Sequence, residues 1–383
     1  MAHFGRPHLS ILLPSFALAQ SPKPVSPLEG IETEVNQAIQ RHELPGAVVL
    51  IVSKQNEIYR RSFGSRSLEP KQEKMTADTI FDLASLTKPV ATATSIFILR
   101  EQKKLNLDDP VAKYWPEFGQ NGKDKVTIEQ CLLHISGLIN DNPVADYDDG
   151  KVKALERIAA LKLEAEPGKR FRYSDVGFIV LGEIVERVSG QPLDQFAQTN
   201  IFEPLGMKDT RFWKIGDRVP PAVLARTAPT TKEKDSWLVG QVHDPRARRL
   251  GGVAGDAGLF STADDLAIFC NMILNGGEYA GHRILLKESV EKMTEPCPVP
   301  GGQRSRGWDM DTAYSKNRGE FFPKGKSFGH TGFTGTSLWL DPATQTVVIF
   351  LSNRVHPNEK GNVTKLRATV SSLAAQAVGY GSK

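Results

Sequence analysis

The chain has 383 residues, 40% hydrophobic and 24% charged, a balance that supports folded cores and excludes a disordered or fibrous chain. Its net charge of +4 comes without the Lys/Arg run that nucleic-acid binding requires, so no nucleic acid is expected as a partner; Arg246-Ala247-Arg248-Arg249 reads as a solvated loop. After the first nineteen residues no apolar run approaches the roughly 20 residues of a membrane span, so none is expected.

Arg6 and His8 precede the apolar residues Ile11-Leu12-Leu13 and Phe16-Ala17-Leu18-Ala19. Ala17-x-Ala19 matches the small-residue cleavage pattern of secretory leaders, so residues 1–19 are read as a signal peptide and the protein as exported, periplasmic or extracellular. Residues 20–27 are proline-rich and read as a linker. Ile31, Val35 and Ile39 recur every four residues and predict an amphipathic helix. Gly46 to Val52 is an apolar, β-branched strand; Lys54 to Glu57 is a turn, and Ile58 to Phe63 pairs back as a hairpin. Helices are predicted at Ser85–Gln102, Thr127–His134, Val152–Leu161, Val176–Val188 and Thr262–Leu274. Gly216 to Asp256 reads as a long polar loop, of a length that is usually functional and that should border a cleft. Toward the C-terminus come strands at Gly335–Leu340 and Val347–Leu351, a turn at Asp341–Thr344 between them, and a last helix over Val363–Val378.

Strands at both ends with helices between imply an α+β fold, an α/β sandwich whose antiparallel sheet is built from both chain ends and flanked by the terminal helices. Residues 28–82 and 300–383 would form the sheet lobe and 83–299 an inserted, mainly helical lobe, with one site between them. Cys131, Cys270 and Cys297 permit at most one disulfide, and the first two lie in apolar helical patterns. No Cys/His spacing suits a metal and HExxH is absent, so neither metal nor cofactor is expected.

Ser85-Leu86-Thr87-Lys88 places a hydroxyl and an amine at i and i+3 on one helical face, where Lys88 can reach Ser85 and activate it as a nucleophile. The same spacing recurs at Ser289-Val290-Glu291-Lys292, read as an exposed helix face. Tyr173-Ser174-Asp175 supplies a phenol whose anion a neighbouring ammonium would favour, so Tyr173 can relay the serine proton. His330-Thr331-Gly332 opens a glycine-rich strand whose edge can offer a backbone N–H to a developing oxyanion; Thr331 can bind a substrate carboxylate or carbonyl, and Gly332 permits close approach. His134, at a helix end, reads as a structural residue that caps the turn. Gly325-Lys326-Ser327-Phe328-Gly329 fits the hydrolase nucleophile elbow, but the glycine-rich stretch after it is no helix, so Ser327 is set aside.

Taken in order, Ser85-x-x-Lys88, Tyr173-x-Asp175 and His330-Thr331-Gly332 resemble the serine β-lactamase and penicillin-binding-protein superfamily. The likeness is greatest to the branch holding class C β-lactamases, D-alanyl-D-alanine carboxypeptidases and family VIII carboxylesterases. Phe81 to Lys88, Leu133 to Leu138, Pro204-Leu205-Gly206-Met207 and Gly258 to Thr262 are similar to that branch as well. The resemblance runs from about residue 30 to the C-terminus. It implies a serine hydrolase in which Ser85 forms an acyl-enzyme, Lys88 and Tyr173 share acid–base work, and the N–H groups of Ser85 and Phe333 hold the oxyanion. The substrate would be a small ester, amide, peptide or β-lactam. His330 stands where β-lactamases of the branch carry lysine, and Asp175 where asparagine is common, so Asp175 should hold Lys88 charged and shift the base role to Tyr173. With no separate deacylating glutamate motif, esterase or carboxypeptidase action is expected ahead of β-lactamase action. A non-catalytic relative that binds cell-wall peptide would show a broken set of motifs, and these three are intact.

Overall fold

The computed structural model describes residues 1–3 and 26–381, so most of the expected signal peptide and of the linker lies outside the described residues. The first helix, Pro27–Gln40, has Pro27 at its N-terminus, where a missing N–H costs nothing, and the Ser26 hydroxyl accepts from Leu28 N. Its apolar stripe buries Ile31, Val35 and Ala38.

Nine strands form one antiparallel sheet. In chain order they are β1 (Gly46–Ser53), β2 (Asn56–Ser67), β3 (Glu73–Lys74), β4 (Cys297–Val299), β5 (Gly302–Ser305), β6 (Trp308–Asp311), β7 (Phe328–Thr331), β8 (Ser337–Asp341) and β9 (Thr346–Ser352). Across the sheet the order is β4-β5-β6-β7-β8-β9-β1-β2-β3. The two chain ends meet where β1 pairs with β9 from Ala47↔Ser352 to Ser53↔Thr346. The α+β architecture and the both-ends sheet therefore stand as expected from the sequence.

Both faces of this sheet are covered, which explains why β1 is apolar without alternation. Val48, Leu50 and Val52 point into the core shared with the helical lobe. Ala47, Val49 and Ile51 point into a second core, closed by Pro27–Gln40 and the C-terminal helix Thr364–Ala377. Each such side chain contributes about 1.5–3 kcal/mol on leaving water.

The helical lobe departs from the sequence reading in three places. The helix expected over Ser85–Gln102 is three pieces: a 3-10 turn at Ala84–Leu86, a π-helical stretch at Lys88–Ala93 and an α-helix at Thr94–Glu101. Pro89 has no N–H to give, and Ala84 has φ 47°, so a uniform α-helix cannot begin there. Within Gly216–Asp256 lie the short helices Pro221–Leu224 and Pro245–Arg249 and a small hairpin, Lys232–Glu233 with Ser236–Trp237. Ser289 is not on an exposed face; it is buried on the inner side of the helix Lys287–Thr294, while Lys292 points outward to Glu295. All three cysteines are free and buried. Among the described residues no helix is long and apolar enough to cross a membrane.

A short three-stranded sheet carries the candidate nucleophile. Phe81–Asp82 pairs with Leu259–Ser261, which pairs in turn with Arg211–Phe212. The chain leaves this sheet at Asp82 and enters the turn that holds Ser85. Leu50, nearly fully buried at the sheet centre, tests the packing: Leu50→Ala should lower stability by about 2–5 kcal/mol in urea unfolding, and a loss under about 1 kcal/mol would contradict the packed core described here.

Candidate active site

Asp82 fixes the turn before Ser85. Its fully buried carboxylate accepts from Ala84 N at 2.8 Å and from His243 N at 2.6 Å, joining the turn to the Gly216–Asp256 segment. Positive φ at Ala84, a residue that has a Cβ, is a strained backbone conformation that these contacts sustain. Burial holds the Asp82 carboxyl above its ordinary pKa even though both N–H donors favour the anion.

Beyond the turn the chain coils so that Lys88 lies beneath Ser85. Lys88 Nζ donates to Ser85 Oγ at 3.0 Å and to the Asp256 carbonyl at 3.1 Å, and forms an ion pair with Asp175 Oδ1 at 2.5 Å. The lysine is fully buried. Burial works to neutralise it, but attraction to Asp175 foremost, then to Tyr173 and Asp256, outweighs burial and raises its pKa above the ordinary lysine value. Breaking a buried pair of this kind by removing one partner costs about 3–5 kcal/mol.

Asp175 opens the helix Asp175–Ser189 just after Ser174, whose hydroxyl caps it by accepting from Gly177 N at 3.0 Å. Tyr173 precedes the cap and is clamped between aromatic rings. His134 stacks on it at 4.4 Å between centroids, Tyr314 stacks at 5.1 Å, and Lys88 Nζ lies 5.1 Å from the ring centre. The ring is half-buried, and desolvation raises the pKa of the phenol more than Lys88 lowers it, so the net shift is upward. This corrects the expectation that the ammonium makes the anion the favoured form: the neighbouring charge acts as predicted, but desolvation is larger. His134 does more than cap a turn. Its Nδ1 accepts from Ser174 N at 3.0 Å, so one ring fixes the backbone and the face of Tyr173 together.

His330, Thr331 and Gly332 run along the end of β7. That strand is interior to the sheet rather than at its edge, but it pairs with β6 through Asp309↔Gly329, before His330. His330 is buried with Nδ1 2.9 Å from the Thr331 carbonyl oxygen. Burial, then Arg304 and Lys88, push its pKa well below the ordinary histidine value, so the ring is neutral. Gly332 is required by internal packing as well as by access: a Cβ there would lie 2.1 Å from Thr336 Oγ1 and 2.3 Å from the Leu83 carbonyl oxygen. Phe333 is 56% exposed, beside Arg354, which lies 4.3 Å from its ring centre.

These residues border a cavity of about 520 Å³ that contains Ser85, Tyr173, Asp175, His330, Thr331, Gly332 and Phe333 together. Its wall includes residues the sequence reading did not single out. Arg304 is fully buried, pairs through Nη1 with Asp309 at 3.1 Å, and leaves Nη2 and Nε without partners. Tyr314 closes the far side of Tyr173. Asp82 was visible as a lone acid inside the apolar run Ile80 to Ala84, whereas nothing in the spacing of Arg304 and Tyr314 announces their position. Among the described residues no group of three acidic, histidine or cysteine side chains could hold a metal ion.

The sequence model of the Beta-lactamase family matches residues 31–370 of this chain. A protein of Escherichia coli K12, provisionally named D-alanyl-D-alanine carboxypeptidase, is 33% identical over 343 residues, covering 82% of this chain and 79% of that one. Among solved structures, the octameric penicillin-binding protein homologue from Pyrococcus abyssi superposes with a TM-score of 0.69 at 26% identity, over 90% of this chain and 76% of that one. A class C β-lactamase from Rhodobacter sphaeroides gives 0.72 at 20% identity, over 91% and 99%. The chain belongs to the β-lactamase family, a superfamily of serine hydrolases, and has its fold.

The charge state of the two buried rings is directly measurable. His134, lowered by burial and then by Arg304 and Lys88, should resemble His330 in staying neutral. In side-chain ¹⁵N NMR neither ring should change protonation between pH 8 and pH 5.5, and titration of either near pH 6.5 would show that the site is wetter than described.

Proposed function

We propose that this protein is a serine hydrolase that works through a Ser85 acyl-enzyme on small amide or ester substrates bearing a carboxylate, in the manner of a D-alanyl-D-alanine carboxypeptidase. The observation that carries the reading is the 3.0 Å contact of Lys88 Nζ with Ser85 Oγ at the floor of a cleft that also holds Tyr173. The name of the E. coli relative supports the peptidase choice, as does the surplus of cations in the cleft, where Arg304, Arg354, Lys360 and Arg367 outnumber Asp175 and Asp309. A carboxylesterase is the second reading, favoured by the neutral His330 at the position where β-lactamases of this branch carry a lysine.

In this proposal Ser85 Oγ attacks the scissile carbonyl carbon as its proton passes to the Tyr173 oxygen, with Lys88 remaining an ammonium that stabilises the phenolate and the transient charge. The N–H groups of Ser85 and Phe333 receive the oxyanion, a contribution worth about 10²–10³ in rate for each donor. Collapse breaks the bond to the amine or alcohol, which departs with the Tyr173 proton. Water then attacks the acyl-enzyme, gives a proton to the same relay and releases Ser85 with the acid product. The base works deprotonated and its pKa is raised, so kcat/KM should climb with pH through neutrality into the alkaline range.

Two measurements test this. Incubation with a fluorophosphonate or a penicillin should add one adduct on Ser85 by mass spectrometry, and Ser85→Ala should lose adduct and turnover by on the order of 10⁵-fold or more. A panel of p-nitrophenyl esters, nitrocefin and a D-Ala-D-Ala peptide then assigns the substrate class; absence of any Ser85 adduct would sink the hydrolase reading. Separately, Asp175→Asn removes a charge that raises both Lys88 and Tyr173, so the rising limb of the pH profile should move about one unit lower. An unmoved limb would remove Tyr173 as the base.

A further inference from the structure

Ser85 lies where two cavities meet. The larger holds Tyr173, His330 and the cations named above. The smaller, of about 350 Å³, shares Ser85, Asp175 and Phe333 with it, and in its wall the acids Asp141, Asp244, Asp256 and Glu359 outnumber Arg246 and His243. All four come from loops outside the sequence motifs, and Asp244 and Asp256 belong to the segment Gly216–Asp256.

We propose that this smaller cavity is the subsite for an ammonium group carried on the acyl part of the substrate, so that a cation and an anion are read on opposite sides of the bond that Ser85 breaks. The inference rests on the hydrolase reading above and adds the chemical class of the acyl group. Its direction follows from Tyr173. The residue that returns a proton to the departing atom lines the larger, cationic cavity, and it does not line the acidic one. The leaving part, with its carboxylate, therefore lies toward Arg304, and the acyl part extends toward Asp256.

The acids are not fully used by the protein. Asp141 is within 3.3 Å of Arg246, and Glu359 lies 2.9 Å from His243 Nε2. Asp244 Oδ1 caps the helix Pro245–Arg249, accepting from Arg246 N and Ala247 N. Among the described residues neither Asp244 nor Asp256 has a cationic side chain in ion-pair contact other than the Lys88 that bonds to the Asp256 backbone. Asp256 is 2% exposed, lines the cavity, and its Oδ1 has no hydrogen-bond partner. A buried acceptor left unpaired costs about 1–3 kcal/mol, a deficit that an ammonium donor would remove. Burial first, then Asp244 and Asp175, hold the Asp256 carboxyl well above its ordinary pKa, and burial and Asp175 raise Asp141. These acids therefore favour their protons in the empty cavity, and an entering ammonium would relieve the repulsion and favour their anions. No three of these groups are disposed to hold a metal ion, which leaves an organic cation as the ligand that fits.

The experiment compares the methyl esters of glycine, β-alanine and 6-aminohexanoic acid with their N-acetylated counterparts, following acid release in a pH-stat. At least one free-amine ester should exceed its acetylated partner in kcat/KM by about tenfold or more. In Asp256→Asn, and independently in Asp141→Asn, that ratio should fall severalfold toward unity; because the ratio is read within each variant, a general loss of activity cancels. Equal rates across all pairs on a chain that a fluorophosphonate labels at Ser85 would overturn this proposal alone. A preference for the amine that persists in both variants would overturn the assignment to these carboxylates. A chain that no fluorophosphonate labels would overturn the hydrolase reading and this one with it.

Discussion

A fully buried lysine is tolerated in this protein because one carboxylate stands 2.5 Å from it, and most of the site follows from that pair. An unpaired ammonium at that depth would lose its proton or unfold its surroundings. With Asp175 in place it stays charged, and a charged Lys88 can donate to Ser85 and to the Asp256 carbonyl at once. It also sets the character of its neighbours. The phenol of Tyr173 and the rings of His134 and His330 all titrate in the field of that cation, and the two histidines in that of Arg304 as well.

The pair would be useless if the serine were free to move. Its placement comes from a second buried carboxylate, Asp82, at the exit of the short sheet formed with Leu259–Ser261. Asp82 ties the strained Ala84 turn to His243, and thereby couples Ser85 to the loop that carries Asp244 and Asp256 of the smaller cavity. The sheet reaches the same turn from the other side. Thr336 Oγ1 donates to the Leu83 carbonyl and Thr334 Oγ1 to the Asp82 carbonyl, so the loop joining β7 to β8 holds the serine turn.

The parts legible in the sequence are those whose signal is local. Apolar periodicity found Pro27–Gln40 and the C-terminal helix, each of which buries a face that its own spacing declares, and continuous apolar runs found β1 and β9, which are buried on both faces. The order of the three motifs was enough to expect Ser85, Lys88, Tyr173 and His330 together; the structure puts Ser85, Tyr173 and His330 on one cleft, with Lys88 buried behind its wall and bonded to Ser85. What could not be read depends on competition between terms of similar size. Burial of Tyr173 outweighs the nearby ammonium, and no spacing rule contains the depth of a side chain. The second Ser-x-x-Lys gives the same lesson from the opposite side. Ser289 is as buried as any core residue, but Lys292 turns outward to Glu295, so the identical spacing makes no site. Arg304 and Tyr314 were missed because they reach the cleft through sheet pairing and a loop, both set by contacts far away in the chain.

Arg304 changes how the neutral histidine is understood. A lysine at position 330 would add a second buried cation to a wall that already holds a guanidinium with two free nitrogen positions. The two would repel each other, and the desolvation cost would be met twice. Histidine removes that conflict while keeping a ring that packs 6.0 Å from Tyr173. The positive character of the larger cavity therefore resides in arginines drawn from β5 and the C-terminal segment, and not in the third motif itself. Asp309 holds one edge of Arg304 and leaves the other toward the cleft, so the guanidinium is oriented before any anion arrives. A fixed, half-paired arginine orders fewer degrees of freedom on binding an anion than a flexible lysine would.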